Sequence, residues 1–261
     1  MDLGLNGKRA LVLGSSQGIG AEIARVLARE GCNVYVGARR LDHIQSLADE
    51  LSEEFNVDAK AYSIDLSDGI SVEKLCEMIT HEWKIDILLN NAGGPPPSPS
   101  TGVPDEIWES SLQSLLMSTI RLSEAAVKGM RERGWGRILT VASSGVIQPI
   151  PNLAVSNTVR SAVVGFTKTL SNEVAKDGIT VNMVLPGRID TERLASIHKA
   201  SANKQGMTYE EFRDNSRSSI PARRFGTAKE FAEVAVFLMS VCASYITGSV
   251  IRVDGGVIQS V

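Results

Sequence analysis

The chain has 261 residues, of which 43% are hydrophobic and 22% charged, as is usual for a globular protein. Its 27 basic and 30 acidic residues give a net charge of -3, which argues against a nucleic-acid-binding protein and against a polybasic membrane-surface protein. The few cysteines and histidines are scattered and offer no metal cluster, and the sequence shows neither a signal peptide nor a convincing membrane span, so we expect a soluble cytoplasmic protein.

Short apolar runs alternate with longer amphipathic stretches along the chain. The expected strands are residues 9–13, 33–36, 59–64, 85–89, 137–142, 179–185 and 250–253. The expected helices are residues 19–30, 41–55, 72–83, 107–133, 156–176 and 228–239, with shorter helical pieces at 191–202 and 209–217. The two shorter pieces lie in an otherwise irregular segment, residues 188–226.

This alternation predicts an α/β protein with a parallel sheet and helices on both faces. Right-handed crossovers then give a Rossmann-type doubly wound sheet of about seven strands. The proline-rich run 93–99 has the composition of a linker, but four strands precede it and at least two follow it. One sheet explains both halves, so we expect residues 1–261 to form a single domain.

The turn after the first strand has the composition of a phosphate-binding loop. Residues 13–20 read Leu-Gly-Ser-Ser-Gln-Gly-Ile-Gly and lead into the first helix. Glycines let the backbone approach a diphosphate, and a helix N-terminus supplies free N–H donors. The sequence therefore predicts nucleotide binding, with a purely structural turn as the alternative. The candidate contacts are Gly14, Ser15, Ser16, Gly18, Ile19 and Gly20.

The end of the second strand indicates which nucleotide is preferred. An acidic residue at this place would bind the adenosine ribose and select NAD(H), but the sequence has Gly37-Ala38-Arg39-Arg40. Two guanidinium groups can bind a 2′-phosphate. We therefore expect NADP(H), with NAD(H) as the alternative cofactor if both arginines are only solvated surface residues.

Several motifs now resemble those of the short-chain dehydrogenases/reductases, in the branch of the 3-oxoacyl-carrier-protein reductases. The resemblance covers nearly the whole chain. Its motifs are Gly14-x3-Gly18-x-Gly20, Asp65-Leu66, Asn90-Asn91-Ala92-Gly93, Pro186-Gly187 followed by Asp190-Thr191, residues 245–248 and residues 253–256. The further cofactor contacts that it implies are Asp65, Leu66, Asn91, Ala92, Gly93, Pro186, Gly187, Ile189 and Thr191. It also implies a substrate lid at about 188–226 and a homotetramer or homodimer.

The catalytic positions of the family are only partly matched. The family uses Asn, Ser, Tyr and Lys, and the alignment places Leu115, Ser143, Ser156 and Arg160 at those four positions in turn. A serine is a much poorer acid than a tyrosine and reaches less far, and an arginine remains charged at any working pH. A missing general acid would cost about 10²- to 10⁴-fold in rate.

Three functional hypotheses follow from these positions. The first is an active reductase with a rebuilt site, in which Ser143, Ser156 and Arg160 stabilise the oxygen of a small carbonyl or conjugated enone substrate. A substrate with a carboxylate or phosphate would suit Arg160 and Arg188. The chain also resembles antibiotic-pathway reductases that lack the tyrosine. The second hypothesis is a silent NADP(H)-binding sensor or partner subunit, and the third is a scaffold with a dead site.

Overall fold

Seven parallel strands form one sheet in the computed structural model, which describes residues 1–260. Their order across the sheet is β3-β2-β1-β4-β5-β6-β7. The strands are β1 (Arg9–Leu13), β2 (Asn33–Ala38), β3 (Ala59–Ser63), β4 (Ile87–Asn90), β5 (Gly136–Val141), β6 (Ile179–Pro186) and β7 (Val250–Val253). The strand order reverses between β1 and β4, and this reversal opens a crevice at their carboxyl ends.

Residues 1–260 contain nine α-helices. They are α1 (Gly18–Arg29), α2 (Leu41–Phe55), α3 (Gly69–His81), α4 (Asp105–Ser111), α5 (Ser118–Arg133), α6 (Ala154–Val174), α7 (Glu192–Gln205), α8 (Tyr209–Ser218) and α9 (Ala228–Leu238). One face of the sheet packs against α1, α2 and α9, and the other face against α3, α5 and α6. The central strands are buried on both faces, which is why they read as continuous apolar runs. The predicted doubly wound α/β fold is confirmed.

The predicted helix over 107–133 is interrupted in the structure. It begins at Asp105 and contains a π-helical turn, Leu112–Met117, between α4 and α5. The wide turn disturbs the regular backbone ladder, and hydroxyl groups on either side bond to carbonyl oxygens one turn earlier: Ser111 to Ile107 (2.6 Å) and Thr119 to Leu115 (2.7 Å). Apolar periodicity does not reveal such a turn, so the prediction of one continuous helix was wrong here.

Residues 188–226 leave and rejoin the sheet at neighbouring points. Ile189 and Gly226 form an isolated β-bridge, and the amide of Asp190 donates to the carbonyl of Gly226 at 2.8 Å. Between these ends, α7 and α8 pack against each other. His198 is buried between them, with its ring against Phe212 and Phe225. The segment is therefore a small helical hairpin closed at its base.

The described part of the chain has neither a membrane-spanning helix nor a cluster of metal-ligating side chains. In residues 1–260 no helix combines the length and the apolar character needed to cross a membrane. Over the same residues, no three His, Cys, Asp or Glu side chains lie close enough together to hold a metal ion.

Candidate active site

The glycine-rich turn after β1 is fastened to the end of β4. The Nδ2 atom of Asn91 donates to the carbonyl oxygens of Leu13 and Gly14, at 3.2 Å in both cases. Gly14 has a φ of +62°, and a Cβ on Gly20 would lie 2.2 Å from the Gly14 carbonyl oxygen. Glycine is therefore needed at both positions for the turn to close onto the helix. Asn91, a predicted cofactor contact, uses its side-chain amide to hold this turn.

The N-terminus of α1 is open to an anion. Its N-cap residue, Gln17, makes no side-chain capping hydrogen bond with the described residues, and the first turn carries no acidic residue. The first amide N–H groups of a helix have no intrahelical partner and carry a partial positive charge. A Cβ on Gly18 would lie 3.5 Å from Cγ2 of Thr191, so the predicted contact Thr191 stands opposite this turn. The arrangement fits a diphosphate.

The predicted 2′-phosphate site has a guanidinium group folded over the same turn. Arg40 donates to Oγ of Ser16 at 3.5 Å and to Oε1 of Gln17, and Arg39 is exposed beside it. The side chain of Ser15, by contrast, is fully buried and donates to the carbonyl oxygen of Gly37 at 3.4 Å. The backbone N–H of Ser15 donates to the same oxygen at 3.3 Å, so Ser15 ties the turn to β2, and its contact with a nucleotide stays a prediction.

The acidic position after β3 is held in its charged form. Hydrogen bonds from Ser67, the side-chain hydroxyl (2.7 Å) and the backbone N–H (2.9 Å), keep the pKa of Asp65 below its usual range, and Arg39 adds to the effect. A carboxylate that accepts hydrogen bonds in this way can bind the amino group of an adenine. The neighbouring Leu66 is partly buried and packs against the core.

The segment after β6 is shaped by a close backbone approach. Gly187 donates its N–H to the carbonyl oxygen of Val253 at 3.0 Å, and a Cβ on Gly187 would lie 2.5 Å from Cα of Asp254. Pro186 precedes it at the end of β6. The side chain of Ile189 is buried in the core, so this residue can offer a ligand only its backbone. These glycine and proline positions set the path of the chain into residues 188–226.

Three predicted catalytic residues lie on β5, its following turn and α6. Ser143 follows β5, and its Oγ accepts a hydrogen bond from the N–H of Gly145 at 3.1 Å, which leaves its O–H proton available to a ligand. Ser156 is buried in the first turns of α6, and Arg160 follows one turn later. The 3-10 turn Ser144–Val146 packs directly against α6. The three residues therefore share one corner of the molecule, at the carboxyl end of the sheet.

Arg160 is a buried cation without a carboxylate. Arg160 is only 8% exposed, and among residues 1–260 it has no ion-pair partner. Nη1 donates to the carbonyl oxygen of Val141 at 3.0 Å and Nη2 to that of Ala92 at 3.3 Å. Burial, together with the nearby charge of Arg193, lowers the pKa of Arg160 to about 10, so it remains a cation at neutral pH.

A small cavity of about 10 Å³ lies beside this guanidinium group. Its lining includes Asn90, Leu115, Thr119, Thr140 and Arg160. Oδ1 of Asn90 is buried and finds no hydrogen-bond partner among the described residues. A polar cavity of this size holds about one water molecule. Leu115, which belongs to the π-helical turn, thus lines the same cavity as Arg160.

The structure adds two residues, Gly94 and Arg193, that the sequence did not indicate as part of the site. A Cβ on Gly94 would lie 2.7 Å from Nη2 of Arg193 and 3.8 Å from Nη2 of Arg160. The only sequence signal is an arginine in the first turn of α7, where the helix dipole disfavours a cation.

Arg188, considered above for an anionic substrate, instead donates to the carbonyl oxygen of Ser216 at 2.6 Å and to the hydroxyl of Ser219.

Comparison with known proteins identifies the family. A family model described as enoyl-(acyl-carrier-protein) reductase matches residues 14–258. The 3-oxoacyl-[acyl-carrier-protein] reductase of Escherichia coli (strain K12) is 34% identical over 257 residues, which are 97% of this chain and 98% of that protein. This chain belongs to the short-chain dehydrogenase/reductase family.

Two further reductases match over at least 98% of both chains. The 3-oxoacyl-[acyl-carrier-protein] reductase of Aquifex aeolicus (strain VF5) is 34% identical over 259 residues, 98% of this chain and 99% of that protein. The solved structure of L-sorbose reductase from Gluconobacter frateurii, complexed with NADPH and L-sorbose, has a TM-score of 0.94 at 34% identity, with 100% of both chains covered. The predicted family is confirmed.

Proposed function

We propose that this protein is an NADP(H)-dependent oxidoreductase that reduces a small carbonyl or conjugated enone substrate. The observation that carries the proposal is the buried guanidinium group of Arg160, anchored on two backbone carbonyls one turn after Ser156. A fixed cation at the end of the nucleotide crevice is suited to stabilise a developing oxyanion. The relatives of this chain include reductases, and the structure of one of them was solved with NADPH and L-sorbose.

The open α1 N-terminus, with Gly14, Gly18 and Thr191 around it, would hold the diphosphate of NADP(H). Arg39 and Arg40 would hold the 2′-phosphate, and Asp65 the adenine. A Cβ on Gly93 would meet no atom within 4 Å, so the chain leaves open space beside this glycine for the cofactor. When bound, NADPH supplies a hydride from its nicotinamide ring.

The remaining chemistry falls to this chain's own side chains. The Ser143 hydroxyl, which has a free proton to donate, would hold the substrate oxygen, and Arg160 would stabilise the negative charge that grows there. Neither Ser156 nor Arg160 is a good proton donor at neutral pH, so the proton would come from water. Conjugate addition to an enone delocalises the charge into an enolate and depends less on a strong acid than ketone reduction does.

We also propose that residues 1–261 act as a single domain with residues 188–226 as a substrate lid, and that copies associate as a homotetramer or homodimer. The β-bridge between Ile189 and Gly226 supports the lid, because it gives the hairpin a narrow base. β7 ends the sheet, and the side chains of Val250 and Tyr245 near it are exposed, which supports association at this edge.

The test follows NADPH oxidation with a panel of conjugated enones, 3-oxoacyl thioesters and α-keto acids. We expect enone reduction by the wild type, its loss in Ser143→Ala and its retention in the neighbouring Ser144→Ala. The double variant Ser156→Tyr/Arg160→Lys should gain ketone reduction. Tight NADPH binding without turnover across the panel, in wild type and double variant alike, would instead favour a silent cofactor-binding protein.

A further inference from the structure

Two guanidinium groups face the same point at the end of the nucleotide crevice. Nη2 of Arg160 and Nη2 of Arg193 both lie within 4 Å of the position that a Cβ on Gly94 would occupy. Arg160 comes from α6, and Arg193 comes from the first turn of α7 in the proposed lid. Because Gly94 has no side chain, both guanidinium groups can approach the chain at this point.

This pair of cations is not neutralised by the protein. Among residues 1–260, neither Arg160 nor Arg193 lies within 4.0 Å of a carboxylate oxygen. Three other arginines of the lid do pair with a carboxylate, for example Arg213 with Asp190 at 2.8 Å. Two like charges at one site repel each other, and the repulsion is strongest where one of them is buried. An anion bound between the two charges would relieve this repulsion.

Arg160 is held so that it can serve an anion without moving. Its two bonds to the Val141 and Ala92 carbonyl oxygens fix the plane of the guanidinium group and use two of its five N–H donors. Arg193, in contrast, is exposed on the lid side. Its long side chain has several rotatable bonds, so it can adjust its position to a ligand. One fixed and one adjustable guanidinium group can together clamp a carboxylate, which offers two acceptor oxygens.

We propose that Arg160 and Arg193 form an anion site that binds a carboxylate group of the substrate. This inference rests on the proposed function, because it places the substrate beside Ser156 at the end of the crevice. It narrows the substrate class to oxo acids and enone acids, and it makes Arg193 a specificity-determining residue. The other anion that could reach the pair is the diphosphate of the cofactor, although the α1 N-terminus already offers that group a separate site.

The test measures binding rather than turnover. The protein is saturated with NADP⁺, so that the cofactor's own phosphates are already bound, and is titrated by calorimetry with trans-4-oxopent-2-enoate and with its methyl ester, which lacks the charge. We expect the acid to bind at least about 10-fold more tightly than the ester. Oxalate, a small dianion without an enone, should also bind and should compete with the acid.

Variants then assign the site. Arg193→Gln should remove the preference for the acid, Arg193→Lys should keep part of it, and the matched lid variant Arg217→Gln, whose arginine pairs with Asp214, should keep all of it. The affinity for NADP⁺ is measured separately in each variant and should not change.

Three results would overturn the proposal: equal binding of acid and ester to the wild type, no binding of either acid, or an Arg193→Gln variant that loses NADP⁺ affinity while keeping the preference for the acid. The last result would assign the pair to the cofactor diphosphate. A fourth result, from turnover, would be reduction of ester and acid at equal rates, which would reject the anion site while leaving the proposed function intact.

Discussion

The contact between Gly20 and the carbonyl oxygen of Gly14 offers a direct test of how the nucleotide turn is built. In a Gly20→Ala variant, the new Cβ would lie 2.2 Å from that oxygen and 2.8 Å from Nδ2 of Asn91. Backbone cannot yield as a flexible side chain can, so we place the cost near the upper end of the overpacking range, at about 3 kcal/mol. Alanine is favoured over glycine inside a helix by about 1 kcal/mol, which leaves a net loss of about 2 kcal/mol.

A loss of that size should lower the thermal midpoint by about 4–8 °C in a chain of this length. It should also weaken NADPH binding, because the turn must move to accept the methyl group. The assay compares melting curves at one protein concentration, since association changes apparent stability, and measures NADPH affinity by fluorescence. Gly69→Ala is the matched control, because its Cβ would make only ordinary contacts at the start of α3. If Gly20→Ala melts and binds NADPH like the wild type, the turn does not depend on this close approach.

Three further outcomes are expected. Arg40→Ala should weaken NADPH about 10-fold, through the loss of a charge-assisted bond, and leave NADH unchanged in the same fluorescence titration; equal losses would remove this residue from the 2′-phosphate site. Arg160→Met should lower kcat. It should also lower the free energy of unfolding by about 1–3 kcal/mol, measured as a lower thermal midpoint, because two buried carbonyl groups lose their donors; a variant that melts higher would contradict this. Burial and the charges of Arg188 and Arg213 lower the pKa of His198, so the unfolded chain binds a proton first as the pH falls below about 6.5, and stability should drop there. The slope of the thermal midpoint between pH 7.5 and 5.5 should be smaller in His198→Phe, and an unchanged slope would show that this histidine is not the source.

The sheet could be predicted because its signals are local. Each strand is an apolar run bounded by turns, and each helix shows apolar residues at helical spacing, so the order of elements is readable without any tertiary information. The glycine turn is equally readable, because positive φ at Gly14 and the close approach at Gly20 permit few other residues. These features place the crevice, and with it the positions of Ser143, Ser156 and Arg160.

What the sequence could not supply depends on contacts between distant segments. Arg193 and Arg160 lie on different helices, and only the folded lid brings their guanidinium groups to Gly94. The buried Oδ1 of Asn90 likewise gains its meaning from the cavity that it shares with Arg160. The prediction of one continuous helix over 107–133 failed for another reason. The π-helical turn adds one residue to a turn without changing which residues are apolar, so the periodicity before and after it still predicts a helix.

The residues at positions 115, 156 and 160 are physically consistent with one another. A guanidinium group has five donors and no acceptor, so its surroundings must provide oxygens, and the carbonyls of Val141 and Ala92 do so. An apolar Leu115 adds no competing donor across the cavity. Ser156, one turn earlier, is smaller than a tyrosine at that position would be. Under the proposed function, the site therefore has the permanent positive charge of Arg160 and no proton-donating tyrosine. Such a site favours substrates whose anionic form is already stabilised by conjugation.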